Sequence, residues 1–227
     1  MAGERALVLV PCSGGKASRP SDIEPGNPIP GVEPLRKRMV ELKGDITSGR
    51  TVPAVSLYSG ALYKKCWKSM EAVVSGQYPD VDLLIVSAYY GLVHPAEPIA
   101  DYNLHMGNEV AGMKVYRHWQ RLGLSAVLEA YVREQRITHI WSLLSDSHPR
   151  SQYRQSLNPF WKNMKGKVII RQVTVPGDGQ NNSYRRGEWL DLVLTYMPGH
   201  LVEDNPVSES VQQRIHTDEN RRKIAYL

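Results

Sequence analysis

Phenylalanine is nearly absent from this chain and cysteine is scarce, with one Phe and two Cys in 227 residues. Cys12 and Cys66 are too few for a disulfide scaffold or a metal finger, so the fold must rest on a packed apolar core. No apolar run approaches the roughly 18 residues that a membrane helix needs. The opening Met1 to Leu7 also lacks a signal-peptide pattern, so no membrane association and a cytoplasmic protein are expected. The 7 His show no H-E-x-x-H or other close ligand spacing. No metal site and no cofactor are therefore expected. A Walker A loop and a G-x-S-x-G elbow are both missing, so P-loop and serine-elbow chemistry are excluded.

What is present is ordinary globular composition, 41% apolar and 22% charged, with an unusual aromatic balance of 12 Tyr and 5 Trp. Tyr and Trp carry a polar edge that seeks a hydrogen bond, which suggests polar pockets or stacking surfaces. Lys and Arg number 28 against 23 Asp and Glu, a net charge of +5 that permits a nucleic-acid or phosphate partner. Arg185, Arg186, Arg214 and the Arg221-Arg222-Lys223 run could touch nucleic acid, although solvated helix faces explain them as well.

The apolar run Ala6–Val10 reads as a buried strand feeding the glycine loop Pro11 to Lys16. Five prolines between Ser18 and Pro34 forbid regular structure there and predict a long loop, open to use as a lid. Further strands are predicted at Val52–Leu57, Asp82–Ser87, Thr138–Leu144 and Lys167–Val173. Helices are predicted at Ala61–Ser75, at Ala111–Gln135 with a break near Gly123, and at Gln152–Met164. A loop is expected from Ala88 to about Asn108, and Glu188–Tyr196 fits either strand or helix. Strands separated by helices predict an α/β fold with a mostly parallel central sheet, as one domain over 1–198 and a polar helix or tail over 199–227.

In such sheets ligands bind outside the carboxyl ends of the strands. Four polar clusters fall there. Cys12, Ser13, Gly14, Gly15 and Lys16 have the composition of an anion-binding loop, and Cys12 is a possible nucleophile. Tyr58 opens the second cluster, with Ser59 a plausible helix N-cap. Ser87, Tyr89, Tyr90 and Gly91 form the third, with stacking faces suited to a nucleobase and a glycine for a tight turn; Tyr102 lies downstream. Asp101, on the same loop, is a possible general acid or base, and His94 is either a turn residue or a catalyst. Ser145, Asp146 and Tyr153 belong to the fourth, where serines and a helix start could hold phosphate or sugar.

The ordered set Pro11-Cys-Ser-x-x-Lys16, Ala54-x-x-Leu-Tyr58-x-Gly60, Ser87-Ala-x-Tyr-Gly-Leu92 with Pro95 and Tyr102, then Tyr153-Arg154, resembles the YaaA-like family. Its Pro-Cys-x-x-x-Lys portion also resembles the middle domain of archaeosine synthase. The resemblance covers about residues 5 to 160. It implies an α/β fold related to uracil-DNA-glycosylase-like domains and an association with modified nucleobases, DNA or peroxide stress. Many relatives carry Lys at the position of Tyr89 and an acid at that of Asn103, so Asp101 could serve here instead.

Together these readings predict an enzyme acting at the N-glycosidic bond of a nucleotide, nucleoside or nucleic-acid substrate, by hydrolysis or by base transfer. Asp101, Asp146 and Cys12 are the candidate catalytic groups. The alternative is a non-catalytic DNA-binding protein of a stress or defence system.

Overall fold

The computed structural model describes residues 3–145, 151–173 and 182–202. Strand β1 (Ala6–Pro11) forms from the fully apolar run, and Ala6 to Val10 have no exposed surface at all. A strand buried on both faces must lie centrally, and β1 does. After it come α1 (Glu33–Lys43), β2 (Thr47–Pro53), the single turn α2 (Ala54–Leu57) and α3 (Tyr63–Val74). Strand β3 (Val81–Ser87) pairs parallel to β1, from Ala6 opposite Val81 to Pro11 opposite Val86. Next are β4 (Gly91–Val93), β5 (Pro98–Tyr102) and the hairpin β6 (Glu109–Val110) and β7 (Met113–Lys114). Helices α4 (Val115–Leu122) and α5 (Leu124–Glu134) meet at Gly123, whose φ of 87° ends the first of them.

Strand β8 (His139–Ser142) then pairs parallel to the other edge of β1, with Ala6 opposite His139. The single turns α6 (Gln152–Gln155) and α7 (Phe160–Asn163) lead to β9 (Ile169–Gln172), parallel to β8. Helix α8 (Asn182–Tyr196) and a 3-10 turn (Pro198–Val202) complete the described chain. The main sheet has the order β4-β3-β1-β8-β9, with only β4 antiparallel, and helices flank it. The protein is thus α/β with a mostly parallel central sheet. Chain order runs outward from β1 to β3 on one side and resumes at β8 on the other, so the order reverses between β1 and β8.

Several elements depart from the sequence expectations for identifiable reasons. Val52–Leu57 is no strand of the main sheet. Its first residues end β2, which pairs antiparallel with β5 in a separate two-stranded sheet, and Ala54–Leu57 turns into α2. Ala88–Asn108 is not all loop, since it holds β4 and β5. Gln152–Met164 is two single turns, because Pro159 lacks the N–H that a continuous helix would use. Helix α1 begins inside the proline-rich segment, where Pro34 in the first turn is compatible with helix geometry. The segment before it is fastened to the body: Arg19 N–H donates to Ser56 O, Gly26 N–H donates to Ala96 O, and Ile29 and Val32 are buried.

Glu188–Tyr196 resolves as helix and starts earlier, at Asn182. Residues 199–202 join the body, with Leu201 buried and its carbonyl accepting the Trp141 indole N–H at 2.8 Å. The rest of the expected tail lies outside the described residues. Among those described, no helix is long and apolar enough to cross a membrane.

Candidate functional site

At the carboxyl ends of β1 and β8 lies a cavity of about 520 Å³. Pro11, Cys12, Ser13 and Gly14 line one side, and Ser145, Gln152 and Tyr153 another. His105 to Asn108, Ala61 to Tyr63, Ser183 and Arg186 complete it. Ligand pockets typically fall between 300 and 1,000 Å³, and this one sits where strand order reverses, the favoured crevice of open α/β sheets.

Cys12 is nearly buried and faces the cavity, with Sγ 3.3 Å from the Tyr153 hydroxyl. Burial pushes the Tyr153 hydroxyl well above its ordinary value, and the neighbouring Cys12 adds to the shift. The phenol therefore keeps its proton at neutral pH and is available as a donor to the sulfur. Ser13 turns its Oγ back to accept the Gly15 N–H at 3.1 Å, while Gly15 O accepts the Ser59 N–H at 2.9 Å. A Cβ at position 60 would stand 2.0 Å from Ser13 Oγ, so any other residue there would turn that hydroxyl away from the Gly15 N–H.

Behind the cavity floor the expected tyrosines form a buried hydroxyl chain. Ser87 Oγ accepts the Tyr89 and Tyr90 N–H groups at 3.3 and 3.0 Å, which leaves its own proton for Tyr102, 2.8 Å away. The Tyr102 and Tyr58 hydroxyls are 3.0 Å apart. Burial, then the proximity of Cys12, holds both phenols well above their usual range. Tyr63 donates to Pro11 O at 2.9 Å and so ties α3 to the end of β1.

Not every predicted residue converges on the cavity. Lys16 is turned inward, its side chain only 5% exposed, with Nζ donating to Tyr102 O at 2.6 Å and lying 4.2 Å above the Tyr102 ring. Asp101 pairs with it at 3.6 Å and is half exposed; neither residue lines the cavity. Lys16 is therefore a cation that holds the loop to β5, because a buried ammonium needs a carbonyl and a carboxylate more than it needs a ligand. Ser59 is not an N-cap, since α3 begins only at Tyr63 with no side-chain cap.

Tyr89 and Tyr90 face elsewhere as well. Tyr89 stacks on Tyr102 with centroids 5.5 Å apart, and Tyr90 meets both rings edge-on. They line a second cleft of about 600 Å³ beside Arg36 and Glu97. Burial pushes the Tyr90 hydroxyl up to about 12, and that hydroxyl bonds to both the N–H and the carbonyl of Ala100. Gly91 opens β4 at a φ of 72°, where a Cβ would meet Trp119 and Leu124 at 3.0 Å. His94 sits in a turn, its Nδ1 accepting the Ala96 N–H at 3.2 Å. Asp146, with Ser147, His148 and Arg150, lies outside the described residues. Among the described residues no group of three His, Cys, Asp or Glu is placed to hold a metal ion.

Reading the sequence missed His105, Gln152 and Ser183 and offered Arg186 to nucleic acid or to a solvated face, not to a cavity. Arg186 is 6% exposed and lines the cavity. A signal for it existed, since Arg186, Trp189, Leu190, Val193 and Leu194 follow the spacing of one buried helix face.

The fold and crevice define an α/β domain with a cavity at the switch point of its sheet. The model of the family described as Peroxide stress protein YaaA matches residues 33–184, more than half of the chain, and the chain belongs to that family. A UPF0246 protein of Francisella philomiragia and one of Francisella tularensis subsp. novicida are each 27% identical to it over 110 residues. Those alignments cover 48% of this chain and 43% of each relative, so the chain spans less than half the length of the curated relatives it matches. The cavity draws on residues beyond both ends of the family match, Pro11 to Gly14 before it and Arg186 after it.

Proposed function

We propose that this chain is an enzyme that binds a nucleotide or nucleoside in the cavity and cleaves its N-glycosidic bond. The observation that carries this reading is the position of a nucleotide-sized cavity at the reversal of strand order, with a thiol and a protonated phenol side by side on its wall. The resemblance to the YaaA-like family, which implies a fold related to uracil-DNA-glycosylase-like domains, and that of the Pro-Cys-x-x-x-Lys portion to the archaeosine synthase middle domain support the same substrate class. In hydrolysis, water oxygen bonds to C1′ and the C1′–N bond breaks. The electron pair stays on the base, which takes up a proton from Tyr153 or Cys12, and the proton released by the attacking water restores that donor. In this reading Tyr153 or Cys12 donates to the leaving base, and Ser13, Gly14 and Ser145 orient the sugar. Tyr58, Ser87 and Tyr102 support Cys12 from behind, and Lys16 and Asp101 hold the loop.

The test is incubation of the purified protein with pooled nucleosides, nucleotides and single- and double-stranded DNA, read by mass spectrometry, with Cys12→Ala and Tyr153→Phe in parallel. Free base released by the wild-type protein and lost in both variants is the expected result. DNA retained without any product would replace the enzyme with a binding module.

A further inference from the structure

Hydrolysis at C1′ releases a proton from the attacking water, and that proton needs an acceptor on the cavity wall. Among the described residues lining the cavity there is no Asp or Glu. Asp101, the carboxylate expected to act here, is paired with Lys16 and lies off the wall. The titratable or charged groups that do line it are Cys12, Tyr63, Tyr153, Arg186 and His105. Burial holds Tyr63 and Tyr153 well above the ordinary phenol value, so neither exchanges its proton readily at neutral pH. A guanidinium keeps its proton throughout. Imidazole is the side chain that ordinarily changes charge between about pH 5 and 8.

The turn that carries His105 is firmly held. Leu104 and Met106, its neighbours in the chain, are buried, while His105 itself is exposed. The His105 N–H donates to Asn108 Oδ1 at 2.8 Å, and the His105 carbonyl accepts the Asn108 N–H at 3.0 Å. Met106 O and Asn108 O accept the N–H groups of Tyr116 and Val115, which anchors the turn to the start of α4. Two glycines then set where it lies. A Cβ on Gly14 would stand 3.1 Å from His105 Cε1, so the imidazole lies over the loop that begins at Cys12. Gly14 has no positive φ to account for a glycine there, and the room it leaves is taken by the ring. A Cβ on Gly107 would stand 3.5 Å from the side-chain nitrogen of Gln152, the residue before Tyr153. The turn therefore bridges the wall of Cys12 and the wall of Tyr153. Among the described residues no hydrogen-bond partner holds either ring nitrogen of His105.

We propose that His105 is the general base of the cleavage. Its imidazole takes the proton of the attacking water as the oxygen bonds to C1′. The imidazolium then returns a proton to whichever of Tyr153 and Cys12 gave one to the base. One proton leaves the water, one reaches the base, and every side chain ends as it began. The inference rests on the N-glycosidic reading above and supplies that reaction with its proton acceptor.

The experiment is incubation of the full chain with the same pool of nucleosides, nucleotides and DNA, with released base quantified from about pH 5 to 9. His105→Gln and His105→Ala are run beside the wild type, each shown to be folded by circular dichroism, with and without added imidazole. Base release should fall by roughly 10²- to 10⁴-fold in both variants, the usual scale of general acid–base catalysis. KM for the most rapidly cleaved member of the pool should stay nearly unchanged. Release by the wild type should decline toward acid pH, and that limb should vanish in His105→Gln. Added imidazole should restore part of the rate to His105→Ala, where the missing ring leaves room for it. Wild-type rates in His105→Gln overturn the inference yet leave the N-glycosidic reading standing. A lost rate with the acid limb retained and no rescue by imidazole gives His105 a structural role, and that also overturns it. Absence of free base with the wild-type protein removes the N-glycosidic reading and this inference together.

Discussion

Cys12 and Tyr153 are 141 residues apart in the chain, yet the sulfur and the phenol oxygen lie 3.3 Å apart on the wall of one cavity. The contact joins the end of β1 to α6, so it ties two walls of the crevice together. Tyr153→Phe removes only the hydroxyl. It should lower stability by about 1 kcal/mol. For a chain of this size that is a fall in Tm of about 2–4 °C in a thermal melt. An unchanged Tm would mean that the contact stabilises nothing.

Arg36 and Glu97 form a buried ion pair beneath the second cleft. The guanidinium also donates to the carbonyls of Tyr90 and Leu92, both at 2.8 Å. Glu97→Gln leaves Glu33, 2.8 Å from the guanidinium and half exposed, as its one carboxylate partner and should cost about 1.5–3 kcal/mol in urea unfolding. The double variant Arg36→Met, Glu97→Leu should recover part of the loss. Its remaining deficit reflects the two carbonyls left without a donor. A double variant less stable than Glu97→Gln would contradict this account.

Gly187 allows α8 to approach α3 with no side chain between them. In Gly187→Ala the methyl group would overlap the Leu62 carbonyl, so the helix must shift. A stability loss of about 1–3 kcal/mol is expected. Gly199→Ala is the matched control, since no atom lies within 4 Å of the added carbon. Equal melting temperatures for the two variants would exclude close packing as the reason for glycine at 187.

Burial lowers the His94 imidazole below its ordinary value. Its Nδ1 accepts the Ala96 N–H, a role open only to the neutral ring. A lowered histidine binds fewer protons folded than unfolded, so stability is complete above the unfolded value near 6.5 and declines as pH falls toward the folded value. Melting temperatures between pH 8 and pH 5 should show that decline in the wild type and a shallower one in His94→Gln. Parallel curves would assign the acid sensitivity to other groups.

The fold was legible in the sequence where burial on both faces left continuous apolar runs. Ala6–Val10 and Asp82–Ser87 need no context to be read as central strands. It was not legible where short segments depend on distant partners. Thr47–Pro53 is a strand only because Pro98–Tyr102 lies beside it, and Arg50 and Thr51 carry no apolar period of their own. The site shows the same division. Cys12, Ser13, Gly14, Ser145 and Tyr153 stand at strand ends or just beyond them, where the switch-point rule places a crevice, and they line it. Lys16 has the composition of an anion ligand, but its orientation depends on the Tyr102 carbonyl, 86 residues away. Tyr89 and Tyr90 carry aromatic faces that their own neighbours occupy. Arg186 was hidden by its chemistry, since a charged residue on an apolar stripe reads as an error of phase until the cavity is seen.

The reversal of strand order between β1 and β8 also constrains when the site can exist during folding. Arg5 meets Thr138 across 133 residues, and until that pairing forms the glycine loop has no opposite wall. Contacts of such separation are slow to form, because the intervening chain loses its freedom before they are gained. Half-folded chains would therefore expose Cys12 to solvent without the wall that carries Tyr153, and the contact between these two side chains doubles as a report that the β1–β8 pairing has closed.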